Sequence, residues 1–219
     1  MARTIRNSLY RRRIIGGALF FVLGGTAAAG LSLARQPQPA VAAPAVVAAA
    51  APDRIEVPAE SVREALAQGL IDRPIKSILN VPARMRYGDY RWDDKGVPAG
   101  ETWIRVDLKA QTLSVFRAGH EIGTAVILYG ADGMPTPTGK FPILAKIKDH
   151  HSATYDAPMP YTLRLTADGV AIHASDVRWG RATHGCVGVP EEFAAKLFAV
   201  ASRGETVLIV DGATRTARI

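Results

Sequence analysis

The chain contains a single cysteine, Cys186, among 219 residues. One thiol excludes an internal disulfide, and the absence of any C-x-x-C or H-x-x-x-H pair removes the spacings from which structural zinc sites are built. Basic excess is missing too, once the N-terminus is set aside. Residues 1–13 carry five arginines (Arg3, Arg6, Arg11, Arg12 and Arg13) and no acid, and without them 27 basic residues become 22 against 20 acids, so the formal charge falls from +7 to +2. Phosphate recognition needs a clustered basic face, so nucleic-acid binding is excluded as a leading function.

Residues 14–34, "IIGGALFFVLGGTAAAGLSLA", carry no charge. A basic start before such a run is an export signal. Its 21 residues exceed the roughly 7–15 of a signal-peptide core and approach the ~20 of a membrane-spanning helix. Cleavage after Ala34 and retention as an inner-membrane anchor are both open; Gly16, Gly17, Gly24 and Gly25 weaken the second. Either way residues 35 onward lie outside the cytoplasm, in the periplasm or envelope, because the arginines stay inside. The triplet Arg11-Arg12-Arg13 also allows the twin-arginine route.

Residues 35–52 are mostly alanine and valine with four prolines, the composition of a semi-extended linker. Residues 53–99 form a small polar segment. There "SVRE" from Ser61 matches a capping box with Gly69 as the stop, predicting one short helix. Ile75, Ile78 and Leu79 predict a further helical turn or two. From residue 100 to 212 the pattern is mainly β. "TWIRVDL", "TLSVFR" and "EIGTAVILY" predict a meander of hairpins, "FPILAKI" a fourth strand, and "YTLRLTADGVAIHAS" two strands around "ADG". Pro190 opens a helix with Phe193, Leu197, Val200 and Ala201 at helical spacing, and "TVLIV" predicts a buried strand.

Cys186 stands in "THGCVGV", residues 183–189. Free cysteines are most often buried small hydrophobes, but glycines on both sides describe a turn, a poor place to bury a thiol. A nucleophilic cysteine needs a base for its proton and N–H donors for the charge developing on a substrate oxygen. The amides of Gly185 and Cys186 suit the second need. Among the five histidines, His184 is too near in sequence for easy geometry; His120 falls in a hairpin turn, and His150 and His151 in a polar loop. His173, polar at the end of "GVAIHA", fits a cleft edge.

"IHAS" followed by "THGCVGVP", with "TPTGKF" upstream, resembles the YkuD-type L,D-transpeptidase catalytic domain of bacterial peptidoglycan enzymes. The resemblance covers roughly residues 100–211, including "VDLKAQTLSVFRAGHEIGTAVILYG" and "MPYTLRL". It implies a β-sandwich-like fold with one principal helix after the cysteine, a cleft, and acyl transfer without metal or organic cofactor. Cys186 would attack the third residue of a donor tetrapeptide stem and expel D-alanine, with His173 as base and the carbonyl of Ala174 orienting its ring. Thr183 and His184 would shape the site, the amides of Gly185 and Cys186 would hold the oxyanion, and an acceptor amine would resolve the thioester.

Two departures stand out. Thr183 follows His173 by only ten residues, a shorter loop than many members have, and Gly188 replaces the family's usual arginine or asparagine. Arg178, Trp179 and Arg181 in that loop, with Tyr161 upstream, are candidates for substrate contact. Resolution of the thioester by water would make an L,D-carboxypeptidase, and resolution by a protein lysine a wall-attachment enzyme. Loss of activity would leave a peptidoglycan-binding module. No lipobox cysteine or wall-binding repeat is recognisable, so tethering rests on residues 14–34.

Overall fold

A computed structural model describes residues 53–131 and 133–212. The expected export signal or anchor and the linker lie outside the described residues, among which no helix is long and apolar enough to cross a membrane.

The chain runs β1 (Arg54–Glu56), α1 (Ala59–Ala67), β2 (Ser77–Leu79), β3 (Tyr90–Trp92), β4 (Thr102–Asp107), β5 (Thr112–Arg117), β6 (His120–Val126) and β7 (Gly139–Pro142). It continues through β8 (Ala145–Ser152), β9 (Ala157–Arg164), β10 (Ala171–Ala174), β11 (Val187–Val189), α2 (Glu191–Val200) and β12 (Thr206–Val210). One sheet has the order β1-β2-β6-β5-β4-β12-β7, with β3 also on β6; the other is β11-β10-β9-β8. The described residues are therefore mainly β, in two open sheets with two helices.

Alternating apolar residues make β4, β5 and β6 a meander of antiparallel pairs, as the sequence predicts. The all-apolar run of β12 is central, parallel to β4 and antiparallel to β7. The main core joins both sheets through Ile104, Val106, Leu113, Ile122, Ile172, Val187 and Ile209, with Phe193, Ala194 and Leu197 of α2. A full core side chain of this size contributes about 1.5–3 kcal/mol by burial. The apolar stripe of α2 thus fixes the chain that leaves β11, immediately after Cys186.

Several expectations are corrected. Helix α1 begins at Ala59 after Pro58 and has no side-chain cap, so Ser61 is inside the helix rather than at its start. Ile78 and Leu79 lie in a strand, because β2 finds partners on β1 and β6 that outweigh a weak local helical preference. The run "EIGTAVILY" leaves its sheet at Val126; Leu128 and Gly130 instead bridge to Gly188 and Thr183. "FPILAKI" is two strands in different sheets, since Ile143 turns into the core between them. His150 and His151 belong to β8 rather than a loop, and His120 opens β6 with its Nδ1 2.9 Å from Ser77 Oγ.

Candidate active site

Strands β10 and β11 are parallel neighbours with Ile172 opposite Val187 and His173 opposite Gly188. The register puts His173 on the face that Gly188 leaves bare, and Cys186 lies two residues before Gly188, in the bend that leads into β11. The loop carrying Cys186 is held by hydroxyls: Thr183 Oγ1 donates to Cys186 O at 2.5 Å and Thr136 Oγ1 to the same carbonyl at 3.4 Å. Thr183 N–H donates to Tyr129 O at 3.0 Å, which ties the loop to the segment leaving β6. Gly185 is buried with φ of +101°, a conformation that a side chain would strain. No hydrogen bond to a described residue occupies the N–H of Gly185 or Cys186, leaving both amides available to an incoming oxygen.

His173 is buried and its Nδ1 lies 2.8 Å from Ala174 O. A carbonyl only accepts, so Nδ1 carries the hydrogen and Nε2 is left with a lone pair. Burial holds the imidazole below its ordinary range, Ala174 O opposes that, and the charge of His150 on β8 adds to it. Cys186 is half-buried, and its thiol donates to Gly169 O at 3.7 Å. Burial pushes the thiol above its ordinary range, opposed by the backbone N–H of Ala171. Both shifts favour the uncharged forms, a thiol and a neutral imidazole.

His184 is exposed and stacks on Tyr155 of the β8–β9 turn, with ring centroids 4.3 Å apart at 11°. Tyr155 Oη reaches Met134 Sδ at 3.5 Å. Tyr155, Met134 and Trp179 are exposed large apolar side chains, and they come from three separate loops. No local pattern marks Tyr155 or Met134, and Thr136 is marked only by its place in "TPTGKF".

The loop after His173 places its candidates unequally. Arg178 is paired to Asp176, while Arg181 reaches the same carboxylate only at 3.9 Å. Arg181 lines a cavity of about 240 Å³ with Gln111, Leu128, Tyr129 and Gly130. Trp179 is 82% exposed and meets the edge of Tyr87 at 5.7 Å, and Tyr87 Oη donates to Gln111 Oε1 at 3.1 Å. Tyr87 stands in a segment whose sequence carries no sign of a site. Tyr161, a sequence candidate for substrate contact, packs its ring against Phe198 of α2 at 5.9 Å.

Fold and site together define a two-sheet β domain presenting an imidazole from β10 and a thiol from the loop that enters the adjacent strand β11. The family model of the L,D-transpeptidase catalytic domain matches residues 101–209, and through this domain the chain belongs to that family. No curated protein sequence matches. Similar solved structures include an L,D-transpeptidase of Enterococcus faecium, 28% identical over 51% of this chain and 50% of that one, with a TM-score of 0.46. One from Stackebrandtia nassauensis is 27% identical over 54% and 60%, with a TM-score of 0.48. One from Mycobacterium smegmatis is 24% identical over 50% and 58%, with a TM-score of 0.47. The match with the first spans half of that relative's length.

Proposed function

We propose that this protein is an exported peptidoglycan L,D-transpeptidase with Cys186 as nucleophile and His173 as its base. The observation that carries the reading is the hydrogen bond from His173 Nδ1 to Ala174 O, which leaves Nε2 as a proton acceptor on the strand beside the one that Cys186 leads into.

The thiol turns from Gly169 O toward His173, and Nε2 takes its proton as sulfur attacks the carbonyl of the third stem residue. The oxyanion forms against the amides of Gly185 and Cys186. Collapse breaks the peptide bond to the terminal D-alanine, whose nitrogen takes the proton from Nε2 and leaves. An acceptor amine then attacks the thioester, gives a proton to Nε2, and sulfur departs and regains it. Thr183 keeps the Cys186 carbonyl turned away, so that the amides face the substrate. Arg181, less engaged by Asp176 than Arg178 is, supplies a cation for a stem carboxylate, and Trp179 forms part of the same wall.

The test is mass spectrometry of products from a disaccharide tetrapeptide, with Cys186→Ala alongside. A dimer lacking one alanine, absent with the variant, is the expected result. A lone tripeptide would make the enzyme a carboxypeptidase, and consumption by the variant would remove Cys186 as nucleophile. Arg181→Ala is expected to raise KM for the donor about tenfold, the loss of one modest charge-assisted hydrogen bond; an unchanged KM removes that role.

A further inference from the structure

Gly188 is opposite His173 in the strand register. A Cβ at this position would fall 2.6 Å from Ser175 Oγ and 2.8 Å from Ser175 Cβ, closer than side chains approach one another. The bare Cα therefore makes room for the Ser175 side chain to lean across the strand pair. Its hydroxyl lies 3.4 Å from His173 Nδ1, the nitrogen that also meets Ala174 O at 2.8 Å. Because the carbonyl fixes the hydrogen on Nδ1, Ser175 Oγ is a second acceptor of the same N–H, in a three-centre arrangement. Ser175 N–H donates to Val189 O at 2.8 Å, so β11, the strand that continues from Cys186, also sets where this hydroxyl sits.

We propose that Ser175 is a positioning residue for His173, and that glycine at 188 is what admits it. The inference rests on the roles proposed for His173 and Cys186. A proton arriving at Nε2 turns a buried ring into a cation, and two oxygens on the Nδ1–H both stabilise that cation and fix the ring plane. Few other charges bear on the ring. Cys186 comes from the loop before β11, and His150 acts on it from β8. Strand β9 brings Thr162 next to the rung of Ile172 and Leu163, and α2 packs on β10 with Phe193, Ala194 and Leu197 as its buried residues. The Ser175 oxygen is thus a principal neutral partner that the sequence can vary.

The test is an NMR titration of the His173 ring in the Cys186→Ala protein, where the thiol no longer titrates. Ser175→Ala is expected to lower the midpoint by roughly half a pH unit, the equivalent of a modest hydrogen bond. Gly188→Ala should lower it in the same direction, because the new methyl group displaces the hydroxyl. The two changes combined should give no more than either alone, since both remove one contact. In the active protein, the limb of the pH profile that belongs to His173 should move to lower pH by the same amount. An unchanged midpoint in Ser175→Ala, or shifts that add, overturns the proposal, and the first variant decides even where Gly188→Ala fails to fold. The titration needs no substrate, so absence of turnover would refute the proposed reaction and leave this inference standing on its own readout.

Discussion

A thiol held above its ordinary range and an imidazole held below its own leave both groups uncharged at rest, rather than as a preformed ion pair. In the proposed reaction the proton then moves during attack, and the rate depends on His173 being neutral. With the imidazole value lowered, the base stays unprotonated further into acid, so the acid limb of kcat/KM is expected below the ordinary imidazole pH near 6.5. In the absence of substrate, iodoacetamide should alkylate Cys186 slowly at neutral pH, with a rate that climbs only above the ordinary thiol range. An acid limb above 6.5 would overturn the lowered imidazole, and fast alkylation at neutral pH would show a preformed thiolate instead. The loop hydroxyl gives a second expectation at this scale. Thr183→Val loses the 2.5 Å bond to Cys186 O, and kcat should fall about tenfold with little change in KM, because a hydrogen bond that orients the amides acts in the transition state.

Among the elements, α2 and the loop after β10 do most to hold the site. Phe193 is fully buried and meets Trp92 and Tyr90 edge-on at 5.5 and 5.9 Å. It clamps the helix that follows β11 onto both β6 and the aromatic residues of β3. Phe193→Ala is expected to destabilise the fold by about 3–5 kcal/mol, measurable by urea unfolding, through lost burial and the cavity left behind. Residues 53–98 contribute β1, β2 and β3 to the sheet that contains β6, and Tyr87 to the wall beside Trp179. Deleting the segment would strip strands from the sheet, so Tyr87→Ala is the cleaner probe of whether this segment shapes acceptor use. A product distribution unchanged by that variant would confine the segment to a structural role.

For the whole molecule, stability depends on how the first strands dock. Glu121 on β6 is buried and accepts the Leu79 N–H at 2.8 Å, and Arg54 donates to Glu121 O and Asp93 O. Burial raises its carboxyl to about 6, against the partly compensating Ser114 hydroxyl, Leu79 N–H, Arg54 and Arg105. The folded state holds this proton more tightly than the unfolded chain does. Its stabilising contribution is therefore complete below pH 4.5 and is lost as pH rises through about 6. Glu121→Gln mimics the protonated form, so the stability of the variant relative to the parent should rise by about 2 kcal/mol between pH 4 and pH 7. Thermal unfolding at the two values measures it, and a difference that does not change with pH would show that the carboxyl titrates normally.

The sequence by itself determined the features set by local chemistry. Alternation fixed β4 and β5, a short continuous apolar run fixed β12, the Pro190 start and apolar spacing fixed α2, and the solitary cysteine between glycines with a histidine at the end of an apolar strand made Cys186 and His173 candidates. Tertiary structure alone decided the features that depend on partners far away in the chain. The segment at Ser77–Leu79 became a strand because β6 offered an edge, and "FPILAKI" broke because its two halves serve different sheets. Tyr155 met His184, Tyr87 met Trp179, and Ser175 entered the space left by Gly188. Periodicity reports which face of an element is apolar, but contacts among loops depend on where the packed sheets bring them, and no local pattern encodes that.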